Sequence, residues 1–301
     1  MMHLPDDALK GSYPPLVTPF TADGAFDEDA YASVVEFHVR EGSHGITVCG
    51  TTSEPSVLTI AERKRSLEVA AATVAGRIPV IAATGSQSLS ETLDLTAHAT
   101  ALGVAGVLVV TPYYIRPNQR GLVAYYGEVC RSTPLPVLVY HIPGRAAVSV
   151  TIETLVAICA QNENLVGMKH AVHELSLVSD AIDRLGPEFR IHVGLEELSF
   201  PMLALGAHGL MNAVGNLWPA KVAELYDVVA KGDLDGGRRI HHQLWELNKS
   251  VFFDMNPIPV KYMMRRLGII AENHHRLPLL PATPDVEARC DEVLRNAGLL
   301  S

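Results

Sequence analysis

A chain of 301 residues, 48% hydrophobic and 19% charged, has the composition of a globular protein with one large domain or two small ones. Its formal charge of −9 argues against a nucleic-acid or anionic-membrane surface, and no apolar run approaches the ~20 residues of a membrane span. The four cysteines, Cys49, Cys130, Cys159 and Cys290, form no CxxC pair and residues 1–7 hold no apolar signal region, a pattern suited to reduced thiols in the cytoplasm.

Short β-type runs alternate with longer amphipathic ones. Runs 13–20, 45–50, 79–85, 106–114, 136–143, 165–170, 190–196 and 209–216 are expected as strands. Runs 27–41, 59–75, 89–102, 119–131, 151–160, 174–185, 197–205 and 219–230 are expected as helices. Eight strands each followed by a helix, many of them apolar throughout, predict an α/β fold, a (β/α)8 TIM barrel. A doubly wound sheet normally has fewer strands, and no Gly-x-Gly-x-x-Gly follows the first run. The barrel is assigned to residues 1–232. Residues 233–301 are expected as a C-terminal helical appendage, with helices at 238–252, from Asn256 onward and at 285–297.

In such a barrel the C-terminal strand ends form the active face. The sixth run, Leu165-Val166-Gly167-Met168-Lys169-His170, carries a lysine on an apolar strand. Only Lys169 and Lys261, of seven lysines, follow strongly apolar neighbours. Desolvation disfavours an ammonium, and a neutral amine in a pocket attacks carbonyl carbon. Alternatively, Lys169 lies just past the strand end and its amine reaches water.

Other strand ends converge on the same mouth. Gly50-Thr51-Thr52 is a turn whose N–H groups and hydroxyls suit a small carboxylate, or an ordinary turn before a helix capped by Thr59 and Glu62. Tyr140 can shuttle a proton beside Lys169 or donate to a backbone carbonyl. Arg145 can clamp a carboxylate or form a surface ion pair. Gly194, Met211 and Asn212 are expected as substrate-binding positions at the ends of the seventh and eighth strands. The pairs His241-His242 and His274-His275 lack metal-ligand spacing, and neither metal nor cofactor is expected.

Gly50-Thr51-Thr52-Ser53-Glu54, Tyr113-Tyr114-x-Arg116-Pro117, Tyr140-x-Ile142-Pro143-Gly144-Arg145, Gly167-Met168-Lys169 and Asn256-Pro257-Ile258-Pro259-Val260-Lys261 together resemble the dihydrodipicolinate synthase / N-acetylneuraminate lyase family. The likeness runs from about residue 10 to the C-terminus and is strongest to the synthase branch. It implies a class I, Schiff-base lyase in which Lys169 condenses with pyruvate or a related 2-oxo acid. Thr51 and Thr52 would hold the acid's carboxylate. Tyr140 would relay protons with Thr51 and with Tyr114, the latter reaching from a neighbouring subunit of a homotetramer, a dimer of dimers. Arg145 would bind the aldehyde co-substrate, aspartate semialdehyde in the synthase branch. The alternatives are an aldolase or dehydratase of another 4-hydroxy-2-oxo or 2-keto-3-deoxy acid, and a non-catalytic small-ligand regulator. The latter predicts decay of the catalytic set, yet Lys169, Tyr140, Thr51 and Tyr114 are all present.

The chain departs from the family pattern in several places. Ser53 replaces a glycine whose position can require φ > 0. His141, Ala146, His170-Ala171, Glu196-Glu197 and Asn212 stand where asparagine, threonine, Glu-Ala, two aspartates and serine are usual. These changes are expected to line the second-substrate end of the pocket. Of the family's lysine-feedback residues, Tyr113 and Glu91 fit, whereas Ile60, Arg63 and Gln87 do not, which argues against such feedback.

Overall fold

Short strands rich in Val, Ile and Leu have no solvent-facing side, so they are stable only when covered on both faces. In the computed structural model, which describes residues 1–300, such strands form one eight-stranded, all-parallel sheet. The strands are β1 (Gly11–Ser12), β2 (Ile46–Val48), β3 (Val80–Ala83), β4 (Gly106–Val110), β5 (Val137–His141), β6 (Leu165–His170), β7 (Arg190–Val193) and β8 (Gly209–Leu210). From β2 to β8 each strand pairs with its sequence neighbours, and β8 pairs with β1. A parallel bridge from Pro15 to Thr47 carries the circle on towards β2. The expected (β/α)8 barrel is what forms.

Between the strands run α1 (Glu28–Arg40), α2 (Ile60–Val74), α3 (Leu89–Ala101), α4 (Gln119–Arg131), α5 (Pro143–Ala146), α6 (Ile152–Gln161), α7 (Ser176–Leu185) and α8 (Ser199–Ala204). After β8 come α9 (Pro219–Ala230), α10 (Leu234–Ser250), α11 (Ile258–Arg266) and α12 (Pro284–Asn296). The Thr59–Glu62 capping box expected at the start of α2 is present. Alternation divides the strand residues between two cores. Val107, Val109, Val137 and Val139 face the helices, whereas Leu108, Leu138, Tyr140 and Met211 fill the barrel interior.

Two local features decide the shape of the mouth. The first expected strand, 13–20, keeps only isolated bridges at Pro15 and Phe20, and β1 lies ahead of it at Gly11–Ser12, because Pro14 and Pro15 have no N–H to give to a ladder. The second is a register shift between β5 and β6. Val137 pairs with Leu165, but Leu138 pairs with Gly167, so one residue of β6 is extra. Without the shift Lys169 would follow Leu165 outward to the helices. With it, Lys169 pairs with Tyr140 and both face the barrel interior.

The C-terminal segment is tied to the mouth by charge. Lys261 of α11 is fully buried, and its Nζ donates to Glu54 Oε1 at 2.9 Å, to Thr18 O at 3.0 Å and to His274 O. Arg276 makes a two-pronged pair with Glu62, Nη1 to Oε2 at 2.9 Å and Nη2 to Oε1 at 2.6 Å, over the ring of Phe20. The Arg276 guanidinium holds the Glu62 carboxyl down at about 2.

Two stability outcomes are expected. Arg276→Ala should lower unfolding free energy near pH 7 by ~1.5–3 kcal/mol, the range for hydrogen bonds to charged groups. Because the folded-state carboxyl of Glu62 is the depressed one, that stabilisation is present above the ordinary carboxylate range. It is lost as pH falls towards about 2. Urea melts of both proteins from pH 7 to pH 3 should therefore converge; a gap that stays constant would refute the ion-pair account. Lys261→Met strands the buried Glu54 carboxylate and should cost ~3–5 kcal/mol. A Lys261→Met/Glu54→Gln double variant should recover part of the loss in the same melts.

Candidate active site

The turn after β2 is built from the backbone outward. Thr51–Ser53 form one 3₁₀ turn, and Glu54 takes the left-handed conformation at φ 57°. The left-handed position is thus Glu54 and not Ser53, which is why a side chain is tolerated at 53. Ser53 Oγ donates to Leu16 O at 2.6 Å, and Ser53 O accepts from Thr18 Oγ1 at 2.7 Å. This anchors the turn from below and leaves Thr51 and Thr52 at the mouth. Thr51 Oγ1 lies 3.1 Å from Tyr140 Oη, and Thr52 Oγ1 accepts from Asn256 Nδ2 at 3.1 Å.

Lys169 is 3% exposed. Its Nζ lies 4.4 Å from the centroid of the Tyr140 ring, and among the described residues no carboxylate or carbonyl accepts from it. Lys261, by contrast, has three acceptors. Gly194 makes room for this side chain, since a Cβ there would sit 2.9 Å from Lys169 Cε and 2.8 Å from Ala171 Cβ.

Two connected spaces meet at this point. A small chamber of about 40 Å³ is lined by Lys169, Tyr140, Thr51, Thr52, Gly194 and Met211, together with Glu196 and Asn256. A cleft of about 340 Å³ adjoins it across the shared walls Thr51, Tyr140, Ile142, Arg145 and Asn256. Seven of the nine expected site residues therefore converge: Lys169, Tyr140, Thr51, Thr52, Arg145, Gly194 and Met211. Arg145 has no carboxylate partner among the described residues, and its Nη2 contacts Met255 Sδ at 3.2 Å. Its surface ion-pair alternative is not realised.

Two expected residues stand elsewhere. Asn212 is buried behind the chamber with Oδ1 accepting from Ser199 Oγ, and it lines neither space. Tyr114 lies in the loop after β4, 86% exposed at φ 70°, and lines neither space. Asn256, which was not among the expected site residues, also lines the chamber, and so does Glu196, one of the departures expected at the pocket. Asn256 belongs to the quoted Asn-Pro-Ile-Pro motif, which was its signal. Glu196 follows β7 in an acidic pair.

The departures from the family pattern do not line the pocket as a group. His141 and His170 point to the helix side because they alternate with Tyr140 and Lys169. Their Nδ1 atoms are 3.2 Å apart, and His170 Nε2 donates to Glu174 O at 2.7 Å. His170 Nδ1 is therefore the acceptor and His141 Nδ1 the donor, and both rings are neutral. Burial pushes His141 down to about 4, and lowers His170 as well. Only Ala146 and Glu196 among these positions touch the two spaces.

Comparison with known proteins agrees with this geometry. Residues 8–297 match the Dihydrodipicolinate synthetase family. The chain is 44% identical to the 4-hydroxy-tetrahydrodipicolinate synthase of Thermus thermophilus over 97% of each sequence. It superposes on the crystal structure of dihydrodipicolinate synthase from Aquifex aeolicus with a TM-score of 0.94 and 39% identity, over 97% of this chain and 99% of that one. It matches the Acinetobacter baumannii enzyme complexed with pyruvate equally well in shape, with TM-score 0.94, 31% identity and coverage of 97% and 100%. With its barrel, its interior lysine and the facing Tyr140–Thr51 pair on the same template from end to end, the chain belongs to the dihydrodipicolinate synthetase family.

Proposed function

We propose that this chain condenses pyruvate with aspartate semialdehyde, as a 4-hydroxy-tetrahydrodipicolinate synthase, through an imine on Lys169. The observation that carries the reading is a buried amine facing a small chamber with no acceptor to hold it among the described residues. Lys169 attacks the oxo carbon of pyruvate, water leaves, and loss of a C3 proton gives an enamine that adds to the aldehyde. Thr51 and Thr52 hold the pyruvate carboxylate. Tyr140, hydrogen-bonded to Thr51, relays protons to the substrate atoms. Arg145, on the wall shared by chamber and cleft, takes the carboxylate of the second substrate.

The exposed, left-handed Tyr114 supports a homo-oligomer, a tetramer as a dimer of dimers, in which a neighbour's Tyr114 completes the relay. The reading places the enzyme in the cytoplasm, with residues 1–232 as the barrel and 233–301 as its helical extension. No helix among the described residues is long and apolar enough to cross a membrane.

Incubation with pyruvate and borohydride, followed by intact mass and peptide mapping, should give a reduced pyruvyl adduct on Lys169. Lys169→Ala should give none while keeping the wild-type circular dichroism and Tm; an adduct of equal yield on the variant would remove the imine reading. Arg145→Ala should raise KM for the aldehyde roughly 10- to 100-fold, the loss of one charged hydrogen-bonding partner. Its pyruvate trapping should stay at the wild-type level; equal loss of trapping would move Arg145 to the first substrate's site.

A further inference from the structure

The chamber holds one ionisable side chain with no assigned task. Glu196 sits in the 3₁₀ turn after β7 and is 1% exposed. Its Oε1 accepts from Ala213 N at 2.6 Å, while its Oε2 is buried with no partner among the described residues. Leaving a carboxyl oxygen dry and unpaired costs free energy that a merely structural residue would avoid. Burial pushes this carboxyl up to about 7, against the pull of neighbouring N–H groups and of the Lys169 charge. A group so placed exchanges its proton near neutral pH.

The surroundings leave Lys169 as its partner. Tyr140 and Arg145 are the other titratable residues lining the chamber. The segment behind it, α8, carries no titratable side chain. From α10, Asn248 donates to Glu196 O at 3.3 Å, Glu246 and Lys249 pair with each other in solvent at 2.6 Å, and His241 stacks on Phe200. Glu197, the next residue, faces outward to His173.

We propose that Glu196 is the proton-exchange partner of Lys169 during imine formation, an inference that rests on reading Lys169 as the nucleophile. As a carboxylate it takes a proton from the Lys169 ammonium across a water, for which 40 Å³ leaves room. The freed lone pair forms the N–C bond as the C=O π pair moves to oxygen, and an N–H proton shifts to that oxygen. The product is a neutral carbinolamine. Glu196 then gives its proton to the hydroxyl, the C–O bond breaks, water departs, and the nitrogen lone pair closes the C=N bond. An iminium cation and a Glu196 carboxylate remain, the same two charges as at the start. Tyr140 and Thr51 stay free to serve the substrate's other atoms.

The test is the rate of adduct formation, with pyruvate as the probe and rapid quenching into borohydride, from pH 5.5 to 8.5 on the full chain. Glu196→Gln keeps an acceptor for Ala213 and removes the exchangeable proton. It should trap at least ~10-fold more slowly at pH 7, the lower part of the effect expected of general acid–base catalysis. It should also lack the inflection near pH 7 that is expected of the wild type. Glu196→Asp should keep an inflection and recover part of the rate. A Glu196→Gln rate equal to wild type overturns the proposal, and so does a uniform slowing that leaves the inflection in place. Should Glu196→Gln not fold, Glu196→Asp decides: a slowed rate with a displaced inflection supports the role, and a wild-type profile overturns it. No adduct on wild-type Lys169 would instead overturn the nucleophile assignment itself, whatever Glu196 does.

Discussion

The slip of one residue between β5 and β6 is the constraint from which the site follows. A strand sends alternate side chains to opposite faces, so one extra residue at Val166–Gly167 changes the side on which everything after it lies. Lys169 turns from the helix layer into the barrel, opposite Tyr140, while His170 turns outward to His141. Gly194 on the neighbouring strand end then has to lack a Cβ, because the redirected lysine fills that volume. An apolar layer below, with Leu108, Leu138 and Val166, fills the barrel beneath the polar mouth.

Two buried lysines show how one residue type serves opposite ends. Lys261 is saturated by a carboxylate and two carbonyls, and its charge fixes the loop that bears Glu54. Lys169 faces an aromatic ring and a space. Their paths meet in five residues. Thr51 and Thr52 look into the chamber, and Glu54 looks away to the C-terminal segment. The far end of the turn is held by an ion pair with no solvent exposure.

Much of this was legible in the sequence, because period and punctuation are local. The spans 119–131, 165–170 and 219–230 coincide with elements of the molecule, and the Thr59–Glu62 box caps its helix. The first strand was overread. Its apolar run is genuine, but ladder pairing depends on N–H groups that Pro14 and Pro15 lack. The departures at His141 and His170 were placed in the pocket because their strands end there. Which face they take depends on pairing with a neighbouring strand, and the only local hint of a slip is Gly167. Tyr114 carries no trace of its orientation in the letters around it. Glu196 was visible as an acid at a strand end, but an unpaired oxygen is a property of the surroundings and not of the residue.

The Glu54–Lys261 pair joins positions 207 residues apart. A chain emerging from the ribosome makes the Thr51–Glu54 turn early and its counter-charge only after the eighth strand is complete. Until then Glu54 must stay hydrated, so the turn has no reason to close over its dry seat. Assembly of the mouth is therefore a late, long-range event, of the kind that slows folding through loop-closure entropy. The chemistry of the site, read as residues at strand ends, looks like a property of the barrel; in time, it belongs to the last helices to arrive.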